Sequence, residues 1–575
     1  MVSQTLDALG PSTTEDYVVG YTLHIPLLQL FRPSETGGWR VDREAVHRLV
    51  ATVAEVPRPV LLYLFSTHFG VESQIEAELA RDPKNMAVTV DGPLPPDRYY
   101  GIPIYPWSVA RRDNELTHRR EEAIGAVAEA VCALPRPAQQ RIVGTTILGE
   151  VHQLFPDFSA GMGFDRAYRI TDYSPVSVEG FQRFLQHRFG TVQALNAAIG
   201  AQFESWQEVL PPGRDIRSDT LRRFEEHLDP YAHGIVPVSG WVFDQRQRQP
   251  TIRVLVNGQE RGVSKARLGR QDVAEALPGL GTADVGWRVD LDVRTWAPGR
   301  YAVEVVLDRP GDLPLLLGVR EIALVDRAQS TPPPVPPYTR QPFATDDPGV
   351  RFAVDTPKPG LAVFVNPLVP WWHAFRALQV RDHLQHFARL LDKTCLGERP
   401  VFTHQIIPFT NPGWDSTRFA SEASLQPGHG MELGISLYGE AAMGASVQEW
   451  LGQQRGQPVG PGQASFFRRY GVTEFHPLRP LEAAELHGVL QGHRAEGAQF
   501  VSFFLEPAHS QAPVANWASF DRRNTQYGSD RLYTAVQGVL AARNGMQTRC
   551  EGVERRAIRP PDTLASRAGV PYSNR

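Results

Sequence analysis

Cysteine is scarce. The 575 residues hold three, Cys132, Cys395 and Cys550. None sits in a CxxC pair and three cannot build a disulfide framework, which favours a reducing compartment as the expectation. No apolar run reaches the roughly 18 residues that a membrane-spanning helix needs. The N-terminus, MVSQTLDALGPSTTED, lacks a basic region followed by an apolar one and does not read as a secretory signal. Cytoplasmic placement is the default expectation, with export the alternative if a signal segment has been cleaved away. Net charge is also small, -4, with 21% charged residues. That balance gives no electrostatic footprint for nucleic acid or an anionic membrane, so neither is expected as a partner. The 17 histidines are scattered without a repeated ligand spacing. Neither a metal nor any other cofactor is expected.

What is present is length, aromatic surface and a strong alternation of elements. A chain this long is expected to divide into two or more domains. The 11 Trp, 16 Tyr and 27 Phe are numerous enough to serve a ligand as well as a core. Trp39, Trp107, Trp371, Trp372, Trp414 and Trp517 fall near expected strand ends or loops, where aromatic faces can stack on sugar rings. Most of them are read as packing.

Residues 15–229 alternate strand and helix. Strands are expected at Tyr17–Pro26, Pro59–Gly70, Gly101–Val109 and Arg141–Glu150, with helices between them and a helix pair after residue 177. From 230 to 330 helical periodicity disappears. Short strands take over (IVPVSGWVFD, TIRVLVNG, VGWRVDLDV, RYAVEVVLD, VREIALVD), separated by turn signals such as Asn257-Gly258. This reads as an antiparallel β-sandwich module with Trp241 and Trp287 in its core. A Pro-rich linker is expected over 331–359. Alternation resumes over 360–548, with strands beginning at Val401, Leu433, Val472 and Gln499, and an irregular tail covers 549–575. Four strands before the module and four after it give the expected fold class: α/β, a (β/α)8 TIM barrel interrupted by an inserted all-β sandwich domain.

Two of the expected strands end in glutamate. Glu150 closes RIVGTTILGE and Glu474 lies in GVTEFHP. A carboxylate at the end of an apolar strand faces water or does chemistry. In a parallel barrel all strand C-termini open on one face, so these two would share a cleft. Two carboxylates flanking one sugar bond are what glycoside hydrolysis requires.

Beyond the glutamates, several segments resemble clan A glycoside hydrolases, closest to the family 42 β-galactosidase-like group. They are the helix pair VEGFQRFLQHRFGTVQALNAAIGAQFESWQEVLPP, the strand-like RPVFTHQIIPF and GISLYG, VTEFHPL, and FVSFFLEPAHSQAPVANWASFDRRNTQYGSDRLYTAV. The likeness spans most of residues 15–225 and 395–540. It implies that Glu150 is the acid/base and Glu474 the nucleophile. It also implies that Tyr438 holds Glu474 and that His404, Asn411, His476, Glu506, Trp517 and Trp107 line the sugar site. Two departures stand out. Gly149 replaces the Asn usual before the acid/base, which removes a hydrogen bond to the sugar 2-hydroxyl, and the β-module interrupts the barrel.

The leading expectation is therefore a retaining glycoside hydrolase that cleaves a β-linked oligo- or polysaccharide by double displacement, with carbohydrate as its partner. Alternatives are a glycan-binding protein on a catalytically inactive barrel, or a transglycosidase using the same site. Homo-oligomerisation is left open. A cleft closed by the loop after Glu150 and by the Trp371-Trp372-His373 segment would favour exo action.

Overall fold

The computed structural model describes residues 2–67, 73–99, 102–156, 168–325, 327, 332–407, 416–426, 428, 430–444, 447–448, 450–451, 469–503 and 519–541. Its centre is a curled parallel sheet of seven strands: β1 (Tyr21–Pro26), β2 (Val60–Phe65), β3 (Ile142–Leu148), β4 (Val401–Phe402), β5 (Met431–Tyr438), β6 (Tyr470–His476) and β7 (Ala498–Phe503). They lie side by side in chain order. β2 is apolar and almost wholly buried (VLLYLF), as expected of a parallel strand covered on both faces. The sheet curls until its first and last strands touch: the Thr22 and Ser502 hydroxyls are 2.8 Å apart.

Helices wrap the outside. Two carry most of the packing against the first half of the sheet: α1 (Glu115–Cys132) and α2 (Val369–Leu391). Asn114 caps α1 by accepting the Thr117 N–H, and ten of its side chains are buried, mostly alanine, valine and leucine. The apolar core beneath joins Ile25, Leu62, Leu64, Val127, Ile147 and Phe387.

Between β3 and β4 the chain forms two further sheets. One runs Leu268–Gly269, Asp284–Asp292, Ile235–Asp244, Val350–Thr356. The other runs Gln259–Lys265, Thr251–Val256, Gly299–Leu307, Leu315–Leu324, Leu361–Val363. They share one apolar core that includes Val236, Val254, Trp287, Val305 and Leu317. In Ile235–Asp244 burial alternates residue by residue, the signature of a strand with one face inward. Asn257 and Gly258 both adopt positive φ (49° and 78°) and close the Thr251–Val256/Gln259–Lys265 hairpin.

Several sequence expectations are corrected. Gly101–Val109 is not a strand of the central sheet. β2 pairs directly with β3, while Ile102–Ile104 forms a small hairpin with Asp97–Tyr99. Pro103 and Pro106 explain this, because each removes a ladder donor and confines the run to an edge or hairpin. The segment expected as linker carries the strand Val350–Thr356, which pairs with Ile235–Asp244. Leu361–Val363 lies inside the 360–548 segment expected to resume the barrel, yet it pairs in the second of these two sheets. Trp371, Trp372 and His373 belong to α2, and Trp372 is fully buried against Phe181 and Tyr173, so this segment is no cleft loop. Trp241 is only partly buried, beside Val273 and Leu280.

Cysteine is the sharpest correction. Cys132 and Cys395 are joined by a disulfide, with Cα atoms 5.6 Å apart. The expectation of a reducing compartment loses its support, since disulfides persist in oxidising surroundings. No helix among the described residues is long and apolar enough to cross a membrane.

Candidate functional site

The seven strands open on a cleft floored by Thr22 and His24 from β1, Leu61 and Tyr63 from β2, Thr146 from β3, Glu474 from β6 and Ser502 from β7, with His404 just beyond β4. Alternate residues of each strand point inward, so the i and i+2 pairs Thr22/His24 and Leu61/Tyr63 share this floor.

Local backbone devices bring the key groups in. At the end of β3, Leu148 and Gly149 both take positive φ (60° and 93°), and the Gly149 N–H turns back onto the Ile147 carbonyl at 2.8 Å. This reverses the strand's heading and delivers Glu150 to the cleft. A β-bulge serves Glu474: Val472 lies opposite Ile435 and Glu474 opposite Ser436, so Thr473 is the extra residue. A bulge re-aims the side chain that follows it. His404 sits where β4 breaks off before Gln405–Ile406 rejoins β5. There the Thr403 hydroxyl accepts the Gly434 N–H at 2.9 Å and donates to the Gly434 carbonyl at 3.1 Å. A Cβ at position 434 would lie 1.9 Å from the Thr403 carbonyl oxygen, so only glycine admits this crossing.

The result is a compact cluster. One oxygen of Glu150, one of Glu474 and a nitrogen of His404 all lie within 4.8 Å of one another. His404 Nε2 is 3.0 Å from Glu474 Oε1. A carboxylate only accepts, so His404 carries its proton on Nε2. The Tyr438 hydroxyl donates to the other oxygen, Oε2. Both glutamates are deeply surrounded by protein, yet the Glu474 side chain keeps 20% exposure, as at the foot of an open cleft.

Their surroundings drive the two acids apart. Burial and the nearby Glu474 charge push Glu150 up to about 8. Ser436 lies near enough to oppose this slightly but forms no well-aligned hydrogen bond. For Glu474, burial pushes upward. The hydrogen bond and positive character of His404, the Tyr438 hydroxyl and His24 outweigh it and hold Glu474 below the ordinary carboxylate range. One acid is thus held protonated and the other ionised, the division of labour that proton transfer plus nucleophilic attack requires.

Of the expected site residues, Glu150, Glu474, Tyr438 and His404 come together here. Asn411, Glu506 and Trp517 lie outside the described residues. His476 and Trp107 do not join the site. His476 is fully buried, with Nε2 on the Ser529 hydroxyl at 2.9 Å and Nδ1 accepting the Leu478 N–H, and burial lowers it to about 4. It is two residues beyond Glu474 and ties β6 to the last helix. Trp107 is 3% exposed and stacks on Tyr105 in the core. Sequence reasoning missed His24, Tyr63 and Ser502. Their signal was a polar tip on the same alternate positions as apolar neighbours inside otherwise apolar strands, YTLHIP and VLLYLF.

No family model matches the chain, and no curated protein matches it. Among solved structures it is similar to a β-galactosidase from the psychrophilic Marinomonas ef1, at 11% identity and TM-score 0.42, covering 92% of this chain and 56% of that one. It is also similar to the catalytic domain of a β-amylase from Paenibacillus polymyxa, at 10% identity and TM-score 0.45, covering 94% and 93%. A third is the exo-carrageenase GH42 from Bacteroides ovatus, at 8% identity and TM-score 0.40, covering 92% and 50%. The chain spans about half the length of the first and third of these.

Proposed function

We propose that this chain is a retaining glycoside hydrolase acting on a β-linked oligo- or polysaccharide, built on a TIM-type barrel with an all-β module inserted between its halves. The observation that carries the reading is the Glu150–Glu474 pair: oxygens within 4.8 Å, with opposite protonation preferences. Retaining enzymes place their carboxyl groups about 5–5.5 Å apart, whereas inverting ones leave about 6.5–9.5 Å for a water.

In the first step the Glu474 carboxylate attacks the anomeric carbon. The bond to the leaving oxygen breaks as that oxygen takes the proton from Glu150, and a glycosyl ester forms on Glu474. Esterification removes the Glu474 charge, which is one of the two causes holding Glu150 protonated. Glu150 becomes more acidic and stays ionised. It can then take a proton from water, whose oxygen attacks the same carbon and releases Glu474. His404 and Tyr438 hold Glu474 in one orientation throughout and stabilise it as the departing carboxylate.

The test is hydrolysis of a panel of β-linked aryl glycosides and polysaccharides by the wild type, Glu150→Gln and Glu474→Gln, with the product anomer read by proton NMR. Loss of activity in both variants and a retained anomer support the proposal. Activity that survives Glu474→Gln contradicts it.

One observation favours a second reading. Glu150, His404 and Glu474 present three ligand atoms close enough to meet on one divalent cation. Hydrolysis abolished by a chelator and restored by a cation would select it. Hydrolysis indifferent to chelator would reject it.

A further inference from the structure

Gln405 is a buried polar residue that the two-carboxylate chemistry leaves without a task. It is fully enclosed, directly after His404, where the chain rejoins β5. Enclosing an amide is unfavourable unless hydrogen bonds replace the water it loses. Here one end is satisfied and the other is not. Gln405 Nε2 donates to the Val151 carbonyl at 2.8 Å. Its Oε1 is buried with no partner among the described residues. A methionine would fill this space without leaving an acceptor unmet. What the glutamine adds is its bond to Val151.

Val151 directly follows Glu150, and the turn that carries both is not one the chain favours by itself. Leu148 and Gly149 take φ of 60° and 93°, a region that a leucine side chain disfavours. The backbone is anchored on either side. The Leu148 carbonyl accepts the Ser66 N–H at 3.2 Å, and the Gln153 N–H donates to the Phe419 carbonyl at 3.0 Å. Between these anchors Gln405 holds the turn from the neighbouring strand, since β4 pairs with β3. Successive side chains of an extended segment point opposite ways. His404 therefore reaches Glu474, at 3.0 Å, while the next residue reaches the backbone behind Glu150.

Resting on the glycosidase reading, we propose that Gln405 is a positioning residue for Glu150: by holding the Val151 carbonyl, its amide fixes the turn on which the proton donor stands. Glu150 must meet the leaving oxygen while Glu474 meets the carbon, so the spacing of the two acids decides the rate. Two consecutive residues set both ends of that spacing, His404 on Glu474 and Gln405 behind Glu150.

The experiment compares wild type and Gln405→Met on a series of aryl β-glycosides, for whichever sugar the wild type hydrolyses. The leaving phenols run from strongly acidic, which need no proton from Glu150, to weakly acidic, which do. A thermal melt checks the fold. The expected result is a drop of roughly tenfold or more in kcat/KM on the weakly acidic phenol, with little change on the most acidic one. Gln405→Asn keeps an amide but falls one carbon short of Val151. It should show the same selectivity, and it carries the test if the Met variant does not fold. An equal loss across all leaving groups in a folded variant overturns the inference, because a residue that only supports the fold would act that way. No loss on any of them overturns it too. Both outcomes leave the glycosidase reading intact. A wild type that hydrolyses no glycoside overturns the parent reading and this inference with it.

Discussion

His404 Nε2 lies 3.0 Å from Glu474 Oε1, and the imidazole is itself clamped beneath the Tyr63 ring. The bond does two things. It orients the Glu474 carboxylate, and it favours the ionised form against a burial that would otherwise protonate it. Removing it should be felt in both geometry and pH dependence.

His404→Ala is expected to lower kcat by roughly 100-fold, the scale of one positioned proton-transfer or orienting group. Its acid limb should move to higher pH, because Glu474 is held low in the wild type and rises when the donor is lost. A pH–rate profile checks this. A uniform loss with no shift of the acid limb would mean that His404 only packs.

On the proposed mechanism the alkaline limb of the pH–rate profile belongs to Glu150. Held up to about 8 by burial and by Glu474, it must be protonated for the first step, so activity should fall as pH rises through that value. In Glu150→Gln the limb should vanish. Aryl glycosides with very acidic leaving groups, which need no proton, should retain the most activity. Rates measured across leaving groups test both statements.

The same carboxyl should cost stability. Its pKa is raised in the fold, so the native state binds its proton more tightly than the unfolded chain does. The benefit is full below the unfolded value near 4.5 and is lost as pH climbs to about 8. Glu150→Gln, which cannot ionise, should therefore melt higher than the wild type, by a margin that grows over this window and is level above it. Melting curves from pH 4 to 9 show whether it does.

The Cys132–Cys395 disulfide ties the end of α1 to the approach to β4 across 263 residues of sequence, which include the two sheets formed between β3 and β4. Both Cys→Ser changes together are expected to remove about 2–4 kcal/mol of stability. The pH profile should stay unaltered, because the bridge stands away from the cleft. Chemical denaturation with and without reductant measures the first part, and steady-state kinetics the second.

Much of this architecture was legible in the chain, for local reasons. The helical periodicity of residues 42–56 announced the helix Arg43–Glu55, which Asp42 proves to cap. Asn257-Gly258 announced a hairpin because few other pairs take positive φ twice. Glu150 and Glu474 stood out because a carboxylate is foreign to an apolar strand. What stayed hidden was non-local. In GIPIYPWSV the two prolines argue against a central strand, but the direct pairing of β2 with β3 is not written there. Cys132 and Cys395 are close only because α1 and the approach to β4 meet. His476 looked like Glu474's neighbour, but it faces Ser529 instead. Tyr63 reads as one more core aromatic until Gly149 is seen to leave room for its hydroxyl.

The central claim is that Glu474 becomes glycosylated while Glu150 manages the proton. The most direct measurement is intact-protein and peptide mass spectrometry of Glu150→Gln incubated with an aryl glycoside that has an activated leaving group. In that variant the first step proceeds and the second stalls. The account predicts one glycosyl unit per chain, on the peptide carrying Glu474. A label on a different carboxylate, such as Glu506, or an inverted product with no covalent species from the wild type, would contradict it.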